Sequence, residues 1–103
     1  MTQLVLEWEQ IKRCRAVVPR HVVFRVLVAE TVLLNIDTGL YHGMDETGSS
    51  FFEVLRESPT LGAAVAKLVK EFEAPEERIR SDLIGYCSDL IDRGLIELNE
   101  PGA

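Results

Sequence analysis

Few side chains of this 103-residue chain are of types that do covalent or metal chemistry, and spacing limits what they can do. Ser49 and Ser50 follow Gly48, but a serine nucleophile needs a Gly-x-Ser-x-Gly elbow and a His–carboxylate partnership, and neither is readable. His21 and His42 are the two histidines and lack neighbours at metal-ligand spacing, so each reads as a surface or strand residue. Gly39, Gly43 and Gly48 precede no Lys-Ser/Thr pair, which a phosphate loop requires. Cys14 and Cys87 form neither a Cys-x-x-Cys pair nor part of a zinc pattern. They read as free thiols in a reducing compartment, Cys87 buried on a helix. The expectation is a protein without catalysis, cofactor or metal.

The elements that must position the remaining candidates run from Asn35 to Phe52. Asp37-Thr38-Gly39 is turn chemistry, since Asp bonds nearby backbone and Gly accepts positive φ. Leu40–Met44 reads as a short strand, and Asp45 as the cap of a helix opening with Glu46 and Thr47. Upstream lie two more strands. Val22–Val28 holds Phe24 and four valines. Thr31–Ile36 places Val32, Leu34 and Ile36 on one face and Thr31, Leu33 and Asn35 on the other. Short connections predict an antiparallel meander whose third strand lies at an edge.

Downstream the chain reads as three helices. The first spans Glu46 to Arg56 and buries Phe51, Phe52 and Leu55. Thr60 caps the second, whose Leu61, Val65, Leu68, Val69 and Phe72 form an amphipathic stripe. The third runs from Pro75 to Arg93, with Glu76 and Glu77 at the positive end of its dipole and Gly94 as its stop. Its apolar residues from Ile79 to Ile91 cover an arc of roughly 160° at about 100° per residue. Two readings fit so wide an arc: a central helix touching several neighbours, and a helix with one margin lining a groove beside the third strand. Leu95–Leu98 is a final strand or extended tail. Residues 1–16 form an N-terminal extension in which Leu4, Leu6 and Trp8 suit a short strand, with packing the safer role for Trp8. Residues 17–98 form the domain, and residues 99–103 a frayed tail. The fold class is α+β: a three-stranded antiparallel sheet followed by three helices, like a winged helix-turn-helix.

Composition narrows function further. With 47% hydrophobic residues the chain can build an ordinary core. It shows no bilayer-spanning run and no basic, apolar secretory start, so a cytoplasmic location without membrane contact is expected. A net charge of −6 opposes binding to phosphate backbones. Helix three carries Glu76, Glu77, Asp82, Asp89 and Asp92 against Arg78, Arg80 and Arg93, a poor balance for entering a duplex groove. A peptide-binding module fits better, because an exposed edge strand accepts an extended peptide as one more strand. Gly43 either admits another backbone closely or marks a bulge. Leu40, Tyr41, His42, Gly43 and Met44 would then read the peptide with Ile79, Asp82, Leu83 and Tyr86 of helix three. The face of the strand that looks into the groove depends on register. A winged-helix nucleic-acid binder and a dimerisation module using the same edge are the alternative classes.

Several segments together carry a family resemblance: Val32-Leu33-Leu34-Asn35, Asp37-Thr38-Gly39, Tyr41, Met44-Asp45-Glu46-Thr47-Gly48, and Leu90-Ile91-Asp92-Arg93-Gly94-Leu95-Ile96. Over roughly Val17–Leu98 the chain resembles the PqqD-like proteins, small peptide chaperones also called RiPP recognition elements. The resemblance implies a winged-helix-like fold that binds the leader of a ribosomally made precursor peptide and presents it to a modifying enzyme or leader peptidase. It further implies that the leader pairs with Leu40–Met44 and lies against Pro75–Arg93. The turn Ile36-Asp37-Thr38-Gly39 departs from the Tyr-Pro-Glu-Gly type of the pyrroloquinoline-quinone pathway. That departure favours another pathway, such as lasso-peptide biosynthesis.

Overall fold

The computed structural model describes residues 7–100. Three strands, β2 (Val22–Val26), β3 (Thr31–Asn35) and β4 (Leu40–Met44), form an antiparallel meander in the order β2-β3-β4. Three helices follow: α2 (Glu46–Glu57), α3 (Leu61–Phe72) and α4 (Glu76–Asp92). The predicted sheet-then-helices order is therefore the observed one. The first strand is shorter than expected, because Leu27 and Val28 belong to the bend that joins it to β3.

The N-terminal residues differ from the reading above. Trp8 opens a single helical turn, α1 (Trp8–Ile11), where its alternation with Leu4 and Leu6 suggested a strand; those two leucines lie outside the described residues. This segment packs against the rest of the chain. Ile11, Cys14 and Ala16 are buried in the common core, and the Leu61 and Gly62 amides donate to the Cys14 and Lys12 carbonyls, both at 2.9 Å. A further strand, β1 (Arg15–Val17), pairs antiparallel with β5 (Glu97–Asn99) and closes the chain ends on one another.

Register decides which side of each strand is buried. Thr31, Leu33 and Asn35 of β3 face the helices, while Val32 and Leu34 are half-covered on the outer face. The Thr31 hydroxyl, which an apolar core could not satisfy, is hydrogen-bonded to that of Ser49 on α2. The serine considered as a nucleophile is thus a buried tie between sheet and helix. The expected helix signals hold. Asp45 accepts from the Gly48 amide at 2.8 Å, Thr60 accepts from the Ala63 amide at 3.1 Å, and Gly94 leaves α4 at φ +72°. The turn after β3 is closed differently: Asn35, not Asp37, supplies the side-chain acceptor, for the Asp37 and Thr38 amides at 3.0 and 3.3 Å. Gly39 there takes φ +74°. Both cysteines are free and buried, and burial pushes the Cys87 thiol up to about 12.

Candidate functional site

Backbone pairing identifies which groups of β4 are open to a partner. The Ile36 amide donates to the His21 carbonyl and the Leu27 amide to the Glu30 carbonyl, both at 2.7 Å, so Val32 and Leu34 aim their peptide groups at β2. Antiparallel ladders alternate. Thr31, Leu33 and Asn35 therefore aim theirs at Met44, His42 and Leu40. The intervening Tyr41 and Gly43 turn their N–H and C=O groups to the free edge. Gly43 stands in continuous register opposite Val32, so it marks no bulge.

Side chains on β4 alternate in the other dimension. Leu40, His42 and Met44 lie on the helix side, and Tyr41 and Gly43 on the outer face. Between the helix side of β4, the start of α2 and the flank of α4 lies a cavity of about 650 Å³. Met44 and Phe51 floor it, and Tyr86 stands across it. The Tyr86 hydroxyl donates to the Gly48 carbonyl at 2.8 Å and lies 3.1 Å from Met44 Sδ, locking β4, the first turn of α2 and α4 together. Its ring meets that of Phe51 edge-on, with centroids 5.6 Å apart. Burial raises the phenol well above its ordinary range, so Tyr86 stays a neutral donor.

The two ends of the groove differ in charge. At one end Arg93 donates through Nε to both Asp89 carboxylate oxygens, at 3.1 and 3.2 Å, and through Nη1 to His42 Nδ1 at 3.3 Å. In that contact the His42 Nδ1 lone pair is the acceptor. At the other end stand Asp82, held loosely by Arg78 at 4.0 Å, and the capping Asp45.

Of the residues singled out in the sequence, the groove brings together Tyr41, His42, Gly43, Met44, Asp82 and Tyr86. Leu40 sits beyond its margin and is 59% exposed. Ile79 and Leu83 do not reach it: both are buried in the core stripe of α4, which packs on α3. The flank of α4 that carries Asp82, Tyr86, Asp89 and Arg93, spaced four, three and four residues apart, lines the groove together with Leu90. Arg93 and Asp89 escaped the sequence reading, although their four-residue spacing with opposite charges is a helix-face signal. Among the described residues no group of three His, Cys, Asp or Glu side chains could hold a metal ion. No described helix is long and apolar enough to cross a membrane.

Comparison with known proteins agrees with this geometry. The family model described as "Coenzyme PQQ synthesis protein D (PqqD)" matches residues 30–96, more than half of the chain. No curated protein is detectably similar. A solved structure, "TbiB1 in Complex with the TbiA(beta) Leader Peptide", is similar with a TM-score of 0.73 and 28% sequence identity. The match covers 78% of this chain and 93% of that one. On the family match, over a span that holds β3, β4, the groove and all three long helices, this chain belongs to the PqqD family.

Proposed function

We propose that the chain binds the leader segment of a ribosomally synthesised precursor peptide by adding it as a strand to β4, and presents it to a modifying enzyme or leader peptidase. One observation carries this reading: the unpaired peptide groups of Tyr41 and Gly43 lie directly beside a cavity large enough for side chains of an added strand. Main-chain bonds would set the alignment, and one or two apolar or aromatic leader side chains entering over Met44, Phe51 and Tyr86 would set specificity. The similarity to a protein solved with its leader peptide supports the reading. The chain itself acts as a binder, not a catalyst: Ser49, the serine weighed above as a nucleophile, is tied up in its hydrogen bond with Thr31. A reducing cytosol suits its two free thiols. The Ile36–Gly39 turn favours a pathway of the lasso-peptide type over quinone synthesis.

The test is a titration of labelled leader, taken from a precursor encoded beside the gene, with scrambled leader as control. Saturable binding at micromolar concentration or below, lost on scrambling, is the expected result. A folded protein that binds neither peptide at high micromolar concentration would contradict the proposal.

A further inference from the structure

The sheet has a second edge. β2 lies opposite β4, and among the described residues it pairs only with β3. The bonded rungs fixed above fall at Val23 and Arg25, so Phe24 and Val26 turn N–H and C=O outward. Val22 offers only its carbonyl, since its amide already donates to Pro19 at 3.1 Å. Natural edges are usually blunted by lysine, proline, a bulge or a covering segment. This one is apolar and open: Val23 is 49%, Val26 40% and Leu27 48% exposed, and Val28 is fully so.

A second observation points the same way. Arg56 of α2 reaches under this edge, its guanidinium 5.0 Å from the Phe24 ring centroid and 6.0 Å from that of Phe52. Its Nε is buried and has no hydrogen-bond partner. Arg20 and Arg25 flank the same edge, and none of the three arginines takes part in an ion pair among the described residues. In a chain of net charge −6 this is a local reversal of sign.

We propose that the β2 edge docks an extended, acid-bearing segment of the enzyme that acts on the leader, while β4 holds the leader itself. This rests on the leader-binding reading of β4. Charge selects the occupant: a second copy paired along β2 would bring two sets of Arg25 and Arg56 together, whereas an acidic segment satisfies them. Position selects the enzyme among acidic partners. A strand on β2 and a strand on β4 lie four strand spacings apart, about 19 Å at roughly 4.8 Å each. About six extended residues of leader, at roughly 3.3 Å per residue, span that distance. Both can therefore be bound at once, with the peptide leaving the groove within reach of the enzyme.

The experiment immobilises the full chain and measures binding of two probes: the synthetic leader, and the purified modifying enzyme or leader peptidase encoded beside the precursor gene. Val26→Pro removes an outward N–H without touching a β2–β3 rung, and Arg56→Glu reverses the charge. Each is expected to weaken the enzyme about tenfold or more while leaving leader affinity within about twofold. Arg25→Glu, on the exposed outer face, gives the same reading should Val26→Pro fold poorly. Gly43→Pro is expected to do the opposite, losing leader and keeping enzyme. Enzyme binding unchanged in folded Arg56→Glu and Arg25→Glu would overturn the proposal. So would wild-type protein that binds leader but not enzyme, or a wild-type dimer that Val26→Pro dissolves. Failure of the leader itself to bind would instead remove the reading of β4 on which the proposal stands.

Discussion

Gly43→Pro separates leader binding from folding because of where its amide points. Gly43 faces Val32 in a non-bonded rung of the β3–β4 pair, so proline at this position removes no ladder hydrogen bond. The preceding His42 is already extended, as a residue before proline must be. A Cβ built at position 43 meets nothing within 4 Å. Stability should therefore change by less than about 1 kcal/mol, the scale of β-propensity differences at an edge. For the leader the loss is larger. One main-chain bond, worth about 0.5–1.5 kcal/mol net, disappears, and the leader carbonyl it satisfied is left against the pyrrolidine ring at about 1–3 kcal/mol. At about 1.4 kcal/mol per tenfold, Kd should rise about tenfold or more. Fluorescence anisotropy with labelled leader gives the affinity, and thermal unfolding of the same sample gives the fold. Gly43→Ala is the control: its methyl points to the open outer face, so leader affinity should stay within about twofold. A folded Gly43→Pro protein with native affinity would refute the strand-addition mechanism. A collapse in thermal stability would refute the assignment of the amide to the free edge.

Other consequences follow from the same geometry. Tyr86→Phe removes the donor to Gly48 and should cost about 0.5–1.5 kcal/mol in urea unfolding, with weaker leader binding as β4 loosens from α2; no change in either would detach the hydroxyl from the groove. Tyr86 and Cys87 both have raised folded-state values through burial, so their contribution to stability is intact below the unfolded values near 9 to 10 and drains away as pH rises above them, Cys87 up to about 12. Each group steepens the loss by at most about 1.4 kcal/mol per pH unit, visible as a urea midpoint that falls from about pH 9 upward; a flat midpoint to pH 11 would contradict the burial of both. Glu73 ends α3 at φ +49°, a conformation costly for an L-residue, so Glu73→Gly should raise stability by about 0.5–1 kcal/mol by the same measurement, and a loss would speak against the left-handed cap.

Local signals in the sequence were sufficient wherever an element is specified within about ten residues. β-branched runs mark β2 and β3, each starting where expected and ending one or two residues early, and Asp45, Thr60 and Gly94 mark the helix starts and the stop of α4 at their observed positions. What stayed hidden depends on partners distant in sequence. The single turn at Trp8–Ile11 has no helical pattern of its own and is held by the chain at Leu61 and Gly62. The three-residue β1 gains its identity only by pairing with Glu97–Asn99 at the other terminus. Within the groove, β4 was legible as an edge because short connections force a meander. The rotation of α4 was not. An arc of roughly 160° contains both the core stripe of Ile79 and Leu83 and, at one margin, Tyr86, with Asp82 just beyond that margin, and only packing on α3 separates core from groove. Arg93 reaches His42 across 51 residues, a contact no local pattern encodes.

The most direct test of leader addition to β4 is residue-resolved amide hydrogen exchange, by NMR, of the protein with and without saturating leader. Tyr41 and Gly43, whose amides face the open edge, should become strongly protected on binding, while Phe24 and Val26 on the opposite edge stay as they were. Saturable binding without new protection at Tyr41 and Gly43 would contradict strand addition to β4 and move the leader to another surface.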